Sequence, residues 1–163
     1  MSIPAYLWLY DQNGVLIKGG SEVLNREGAI EIQSFTHGLY VPFDGNTGRL
    51  MSTRIHQTMG IVKEFDNSTP YLYRAVAKNV KLQKAIIKWY RINSAGVEEE
   101  FLNMAMEGLR LININPHMHN FKLANGQSSA PTESIGLGYQ KITWKYLDGN
   151  ISFTDEWNSS LYA

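Results

Sequence analysis

The stretch Tyr139–Tyr146, YQKITWKY, sets Ile142, Trp144 and Tyr146 on one side of an extended chain and Lys141, Thr143 and Lys145 on the other. A period of two with one apolar side describes a half-buried strand, and such strands belong to antiparallel sheets. Asp148-Gly149 follows at once, then Ile151–Phe153, which predicts a tight hairpin. Ile30–Gln33 repeats the alternation, and Asp11–Gly14 (DQNG) supplies a turn between Ala5–Tyr10 and Val15–Lys18. A third hairpin centres on Asn93-Ser94-Ala95-Gly96. The chain has 163 residues and no repeat or linker, so these strands share one core in a single domain spanning 1–163.

The arms of the third hairpin differ in charge. Six basic residues and no acid lie between Arg74 and Arg91, whereas Glu98, Glu99, Glu100 and Glu107 lie beyond the turn. A two-residue turn at Ala95-Gly96 sets Arg91 opposite Glu100 and Lys84 opposite Glu107; a bulged turn with Gly96 left-handed sets Arg91 opposite Glu99. Either register pairs opposite charges, which gives the basic run a structural partner in place of nucleic acid. The balance of 15 basic and 15 acidic side chains argues the same way, since nucleic-acid and acidic-membrane binding rely on a basic excess. With no cysteine, disulfides, thiolate zinc sites and cysteine nucleophiles are excluded.

One helix is predicted within Asp66–Asn79, DNSTPYLYRAVAKN. Thr69 suits the N-cap, Pro70 the first helical position and Asn79 the end, with Leu72, Ala75 and Val76 as the apolar stripe. Two longer segments, Gly38–Arg54 and Pro116–Pro131, carry no strand pattern. The first holds Leu39, Tyr40, Val41, Phe43, Leu50 and Met51, too much apolar surface for a solvated loop, and is expected to rest on something. Two strands are apolar on both faces. Tyr6 and Trp8 oppose Leu7 and Leu9; Phe101, Ala105, Leu109 and Leu111 oppose Leu102, Met104, Met106 and Ile112. A small barrel has one interior, so the second face needs cover, and one short helix is too little; subunit contacts are expected.

No constellation of residues suggests catalysis, and no catalytic, metal or cofactor-binding residue is assigned. His117 and His119 form an H-x-H pair without a third ligand at recognisable spacing, and His37 and His56 are expected as single packed or capping histidines. Asp44–Gly48 fails as a calcium loop, because Gly48 and Ile55 stand where an oxygen ligand and a glutamate are required. Gly136-Leu137-Gly138 lacks the rest of a dinucleotide fingerprint, and neither a P-loop nor a nucleophile elbow occurs. The N-terminal segment has no basic region and only a six-residue apolar run, Ala5–Tyr10, so neither a signal peptide nor a membrane span is expected there.

Beside this reading stands a resemblance. IPAYLWLYDQNGVLIKG (Ile3–Gly19), REGAIEI (Arg26–Ile32), DGNTGRL (Asp44–Leu50), TRIH (Thr53–His56), KEFDNSTPYLYRAV (Lys63–Val76), KWYRIN (Lys88–Asn93), PHMH (Pro116–His119) and YQKITWKYLDGNISFTDEW (Tyr139–Trp157) run in order over nearly the whole chain. Together they resemble the haemolysin-coregulated protein (Hcp) family, the tube subunit of bacterial type VI secretion, in its enterobacterial branch.

The resemblance implies a mainly β fold: a β-barrel of two packed antiparallel sheets, one short flanking α-helix and a long protruding loop. It implies six copies in a ring and rings stacked into a tube inside a contractile sheath, with a spike protein at the tip and a baseplate below. Contraction then expels the tube, with effector proteins carried in its lumen. The subunit would be structural, without cofactor, without direct membrane insertion and without a C-terminal toxin domain, made in the cytoplasm and exported without a cleaved signal. Leu39, Tyr40, Val41, Phe43, Asn46, Arg49 and Leu50 would stack on the next ring; Ser94, Ala95, Gly96 and Asn158 would lie at contacts between subunits. Ala77–Ile87 and Pro116–Gly138 depart most from the family pattern, which bears on lumen and stacking contacts rather than fold. The residues alone also allow a monomeric β-sandwich that binds carbohydrate on Trp8, Trp89, Trp144 or Trp157; the buried side of the YQKITWKY alternation argues against Trp144 and leaves Trp157 open.

Overall fold

The computed structural model describes residues 3–124 and 129–157. Within them the chain runs β1 (Ala5–Tyr10), β2 (Leu16–Ile17), β3 (Ile30–Ile32), β4 (Ser34–Thr36), β5 (Leu39–Tyr40), β6 (Ile55–His56), β7 (Met59–Glu64) and α1 (Thr69–Ala77). It continues β8 (Leu82–Ile92), β9 (Glu98–His117), β10 (Thr132–Gly138), β11 (Lys141–Tyr146) and β12 (Ile151–Glu156). All pairings are antiparallel. One sheet runs β12-β11-β9-β8-β1, with β2 and β3 sharing the far edge of β1; the other runs β9-β10-β7-β4.

The 20-residue β9 belongs to both sheets. Up to Glu107 it pairs with β11, and from Arg110 onward with β10. The change falls at Gly108, whose φ of 63° lies in the left-handed region. A Cβ there would sit 2.5 Å from Gln140 Oε1, in the segment that crosses from β10 to β11. This bend accounts for Leu109 and Leu111 lying opposite Met106, but not for Phe101 and Ala105, which oppose Leu102 and Met104 before it, nor for Ile112, which stays 53% exposed. Met106 is buried before it and Leu109 and Leu111 after it, so the core-facing positions switch from even to odd numbers.

The expected barrel is not closed. Ile30–Ile32 pairs with β1, Ser34–Thr36 pairs with β7, and the ladder breaks between them at Gln33, where the chain leaves one sheet for the other. The two sheets pack as layers around Leu7, Leu9, Ile30, Met59, Ile61, Ile87, Met106, Leu109, Ile135 and Leu137, all essentially inaccessible. Burying one such side chain contributes roughly 1.5–3 kcal/mol.

The outer face of β1 is covered by the chain itself. Arg26, in the loop before β3, lies with its guanidinium 3.7 Å from the Tyr90 ring centroid and 5.0 Å from that of Tyr6, and it pairs with Glu98. Tyr6 is thereby buried without a second subunit, and Lys88 and Lys84 lie over Trp8 and Tyr10.

The charged hairpin takes both expected registers. Arg91 faces Glu99 near the turn, as the bulged turn requires, yet Lys84 faces Glu107 farther along, because a bulge between Trp89 and Tyr90 shifts the ladder by one. Arg91 Nε donates to Glu99 Oε1 at 2.9 Å, and its NH1 donates to Tyr146 Oη.

The helix begins one residue earlier than its sequence suggests, with Ser68 rather than Thr69 at the N-cap. The Ser68 hydroxyl bonds to Asp66 and makes no cap to the helix. Thr69 Oγ1 instead accepts the Asp66 amide and donates to Glu133 Oε1 at 2.8 Å. Leu72 and Ala75 are buried under the helix, and Asn79 (φ 49°) ends it as expected.

Candidate assembly surfaces

Gly38–Arg54 is ordered, and its sequence hides a strand pair. β5 pairs with β6, Leu39 opposite His56 and Tyr40 opposite Ile55, and beyond them Phe43 bridges Leu50. The Met51 amide donates to Pro42 O, and the Asp44 amide to Arg49 O. At the tip Asp44 Oδ1 accepts the Asn46 amide at 2.8 Å, and that bond holds its carboxyl below the usual range. The segment is therefore a hairpin arm rather than an open loop. Its apolar side chains point outward: Leu39, Tyr40 and Val41 are more than two-fifths exposed, Phe43 63% and Leu50 68%. Asn46 and Arg49 are exposed beside them.

Both ends of the arm converge on one hydroxyl. His37 Nε2 and His56 Nδ1 each lie 2.7 Å from Tyr139 Oη, and His56 Nε2 lies 2.7 Å from Asp155 Oδ2. Arg54 grips the same carboxylate from Nε and NH2, at 2.7 and 2.8 Å, and reaches Glu156 O. The Trp157 ring stacks on His56. Arg54, with His56 behind it, holds the Asp155 carboxyl at about 2, burial pushes the Tyr139 phenol well above its ordinary value, and burial beside His56 lowers His37. His56 is buried as expected, but the two histidines are not separate. Residues 37, 54, 56, 139, 155 and 157 have no spacing that would reveal the cluster.

At the third hairpin Asn93 Oδ1 accepts the amides of Ala95 and Val97, just as Asp11 Oδ1 accepts those of Asn13 and Val15 in the first turn. Ser94, Ala95 and Gly96 form an exposed tip; Asn158 lies outside the described residues. Gly96 has φ 76°, and a Cβ on it would meet open space. Gly96→Ala should thus cost only the left-handed backbone penalty, about 1 kcal/mol, measured by urea unfolding.

Among the described residues no cluster of three or more His, Cys, Asp or Glu is arranged to hold a metal. The His117 and His119 rings meet edge to face at 4.8 Å on the exposed end of β9. Trp144 stacks on Phe153, and Trp157 is engaged by His56 and Tyr139, so neither indole is a free platform for a sugar.

Two linked antiparallel sheets, one flanking helix and a projecting apolar arm define a mainly β protein of the Hcp-like architecture. The solved Hcp1 protein of E. coli EAEC 042 superimposes with a TM-score of 0.87 at 45% identity, over 96% of this chain and 99% of that one. The secreted protein Hcp3 of Pseudomonas aeruginosa gives 0.76 at 27% identity, over 94% and 97%. The "Major exported protein" of Pseudomonas aeruginosa is 29% identical over 98% of both chains. The family model "Type VI secretion system effector, Hcp" matches residues 6–146. The chain belongs to the Hcp family of type VI secretion proteins.

Proposed function

We propose that this chain is the building block of the type VI secretion tube. Six copies close a ring, rings stack through the arm, and the tube is expelled with effector proteins in its lumen. The observation that carries this reading is the arm, an ordered hairpin in a type VI secretion protein that holds Leu39, Val41, Phe43 and Leu50 out in solvent. Ordered apolar surface of that kind is stabilised by a partner. A repeating head-to-tail contact supplies one for every copy. The contractile sheath, spike and baseplate are the further partners, the subunit's role is structural, and the path runs from the cytoplasm outward without a cleaved signal. The relative named "Major exported protein" supports the outward end of that path.

Negative-stain microscopy and sedimentation of the purified protein test the proposal. Six-membered rings that lengthen into tubes as concentration rises are expected. A monomer at every concentration, with no rings, overturns it.

A further inference from the structure

The cluster at the root of the arm has a definite set of proton positions. With both imidazoles neutral, His37 Nε2–H donates to Tyr139 Oη, Tyr139 O–H donates to His56 Nδ1, and His56 Nε2–H donates to Asp155. Every donor then has one acceptor. A proton added to His37 goes to Nδ1, leaves these three bonds as they are, and places a cation between Phe35, Trp144 and the Tyr139 hydroxyl. Among the described residues no carboxylate bonds to that ring, because Asp155 lies on the far side of His56.

Among the described residues the groups around the pair are few. Arg54 and Asp155 form a bidentate ion pair on the His56 side. Phe35 and Trp144 lie against His37. Lys81 and Arg110 share a surface pocket with Tyr139 and Trp157. Among the described residues Asp155 is the single carboxylate bonded to this cluster, and Arg54 already pairs with it. His37 is half-buried and stands next to Gly38, where the arm departs, so it is the ring free to leave.

We infer that His37, Tyr139 and His56 form a pH-operated clamp on the arm, closed while His37 is neutral and opened when His37 is charged. Opening moves His37 to water and unpairs β5 from β6; His56 stays held by Asp155. His37 is harder to protonate folded than unfolded, through burial first and the His56 charge second. Its contribution is therefore complete above its ordinary value of about 6.5 and is lost as pH falls below that. Asp155 responds in a different window, since its carboxyl titrates at about 2 in the fold and its contribution fades only below about pH 4. The clamp thus opens in mild acid while the Arg54–Asp155 pair persists. The clamp stands on local geometry, whereas its consequence for ring stacking rests on the proposed tube function.

The test is amide exchange and imidazole nitrogen NMR on the full chain and on His37→Gln, which keeps an N–H for Tyr139 but cannot titrate. The probe is the Gln57 amide, which donates to Gly38 O across the arm root. At pH 7.5 both wild-type rings should carry hydrogen on Nε2. Between pH 7.5 and 5.0 the protection factor of Gln57 should drop at least tenfold in the wild type, stay within twofold in the variant, and remain unchanged for core amides in both. Equal protection at both pH values in the wild type, an equal drop in the variant, or hydrogen on Nδ1 of His56 at pH 7.5 overturns the clamp. If His37→Gln does not fold, Tyr139→Phe replaces it, with pH-independent protection expected and a tenfold drop counting against the clamp. Sedimentation of the same samples separates the two ideas: rings that never stack at any pH speak against the tube while Gln57 still decides the clamp.

Discussion

Lys63→Met is expected to destabilise the fold by about 3–5 kcal/mol, the cost of leaving a buried charge without its partner. Lys63 and Glu133 face each other across β7 and β10, and both side chains are fully buried. The ammonium uses its three donors on Glu133 Oε1, Glu64 O at 2.9 Å and Asp66 Oδ1 at 3.0 Å. Thr69 adds a bond to Glu133 from the first turn of α1, so the group ties the helix start to two strands. Removing the lysine strands the carboxylate, whose Oε2 already lacks a hydrogen-bond partner among the described residues. The pair Lys63→Met with Glu133→Leu should recover most of the loss, since a well-packed apolar pair is often no less stable than a buried ion pair. Urea unfolding of the three variants checks this. A single Lys63→Met loss under about 1 kcal/mol would show that Glu133 is not held by the ammonium.

Val41→Glu with Phe43→Glu should abolish ring stacking and leave the subunit's thermal unfolding within a few degrees of wild type. Both side chains are exposed on the arm and outside the core, so the isolated fold hardly senses them. In a stacked contact each glutamate would be a carboxylate buried against apolar surface, which costs several kcal/mol unless it is neutralised. The effect multiplies in a ring. A loss of only about 1 kcal/mol per subunit, taken six times, weakens the contact between two rings by about four powers of ten. Sedimentation should show single rings where the wild type forms tubes. Undiminished stacking in the double variant would remove the arm from the ring contact.

Much of the fold is legible in the chain because it is written locally. Each turn carries its own signal: Asp11 and Asn93 cap their turns with one side-chain oxygen, and Gly14, Gly96 and Gly149 supply the left-handed backbone. The charged hairpin was legible down to two registers, and the structure uses one on each side of the bulge at Trp89/Tyr90. The arm was legible as apolar surface needing support but not as a hairpin. Its pairs are short, and with all but His56 of the paired residues exposed no alternation marks them. The Thr69 cap shifted to Ser68 because Glu133, 64 residues away, takes the threonine hydroxyl.

What the sequence determined by itself is the period-two strands, the single helix, the turns and the charge balance that leaves nucleic acid aside. These follow from neighbours a few residues apart, where side-chain direction and turn chemistry act directly. Only the tertiary structure decided that β9 serves both sheets, that the ladder breaks at Gln33, that Arg26 covers Tyr6, and that His37, His56, Tyr139 and Asp155 meet at the arm root. Those meetings join residues up to 102 positions apart. A hydrogen bond across that distance needs the whole packed frame to fix two side chains at 2.7 Å, and no local pattern encodes it.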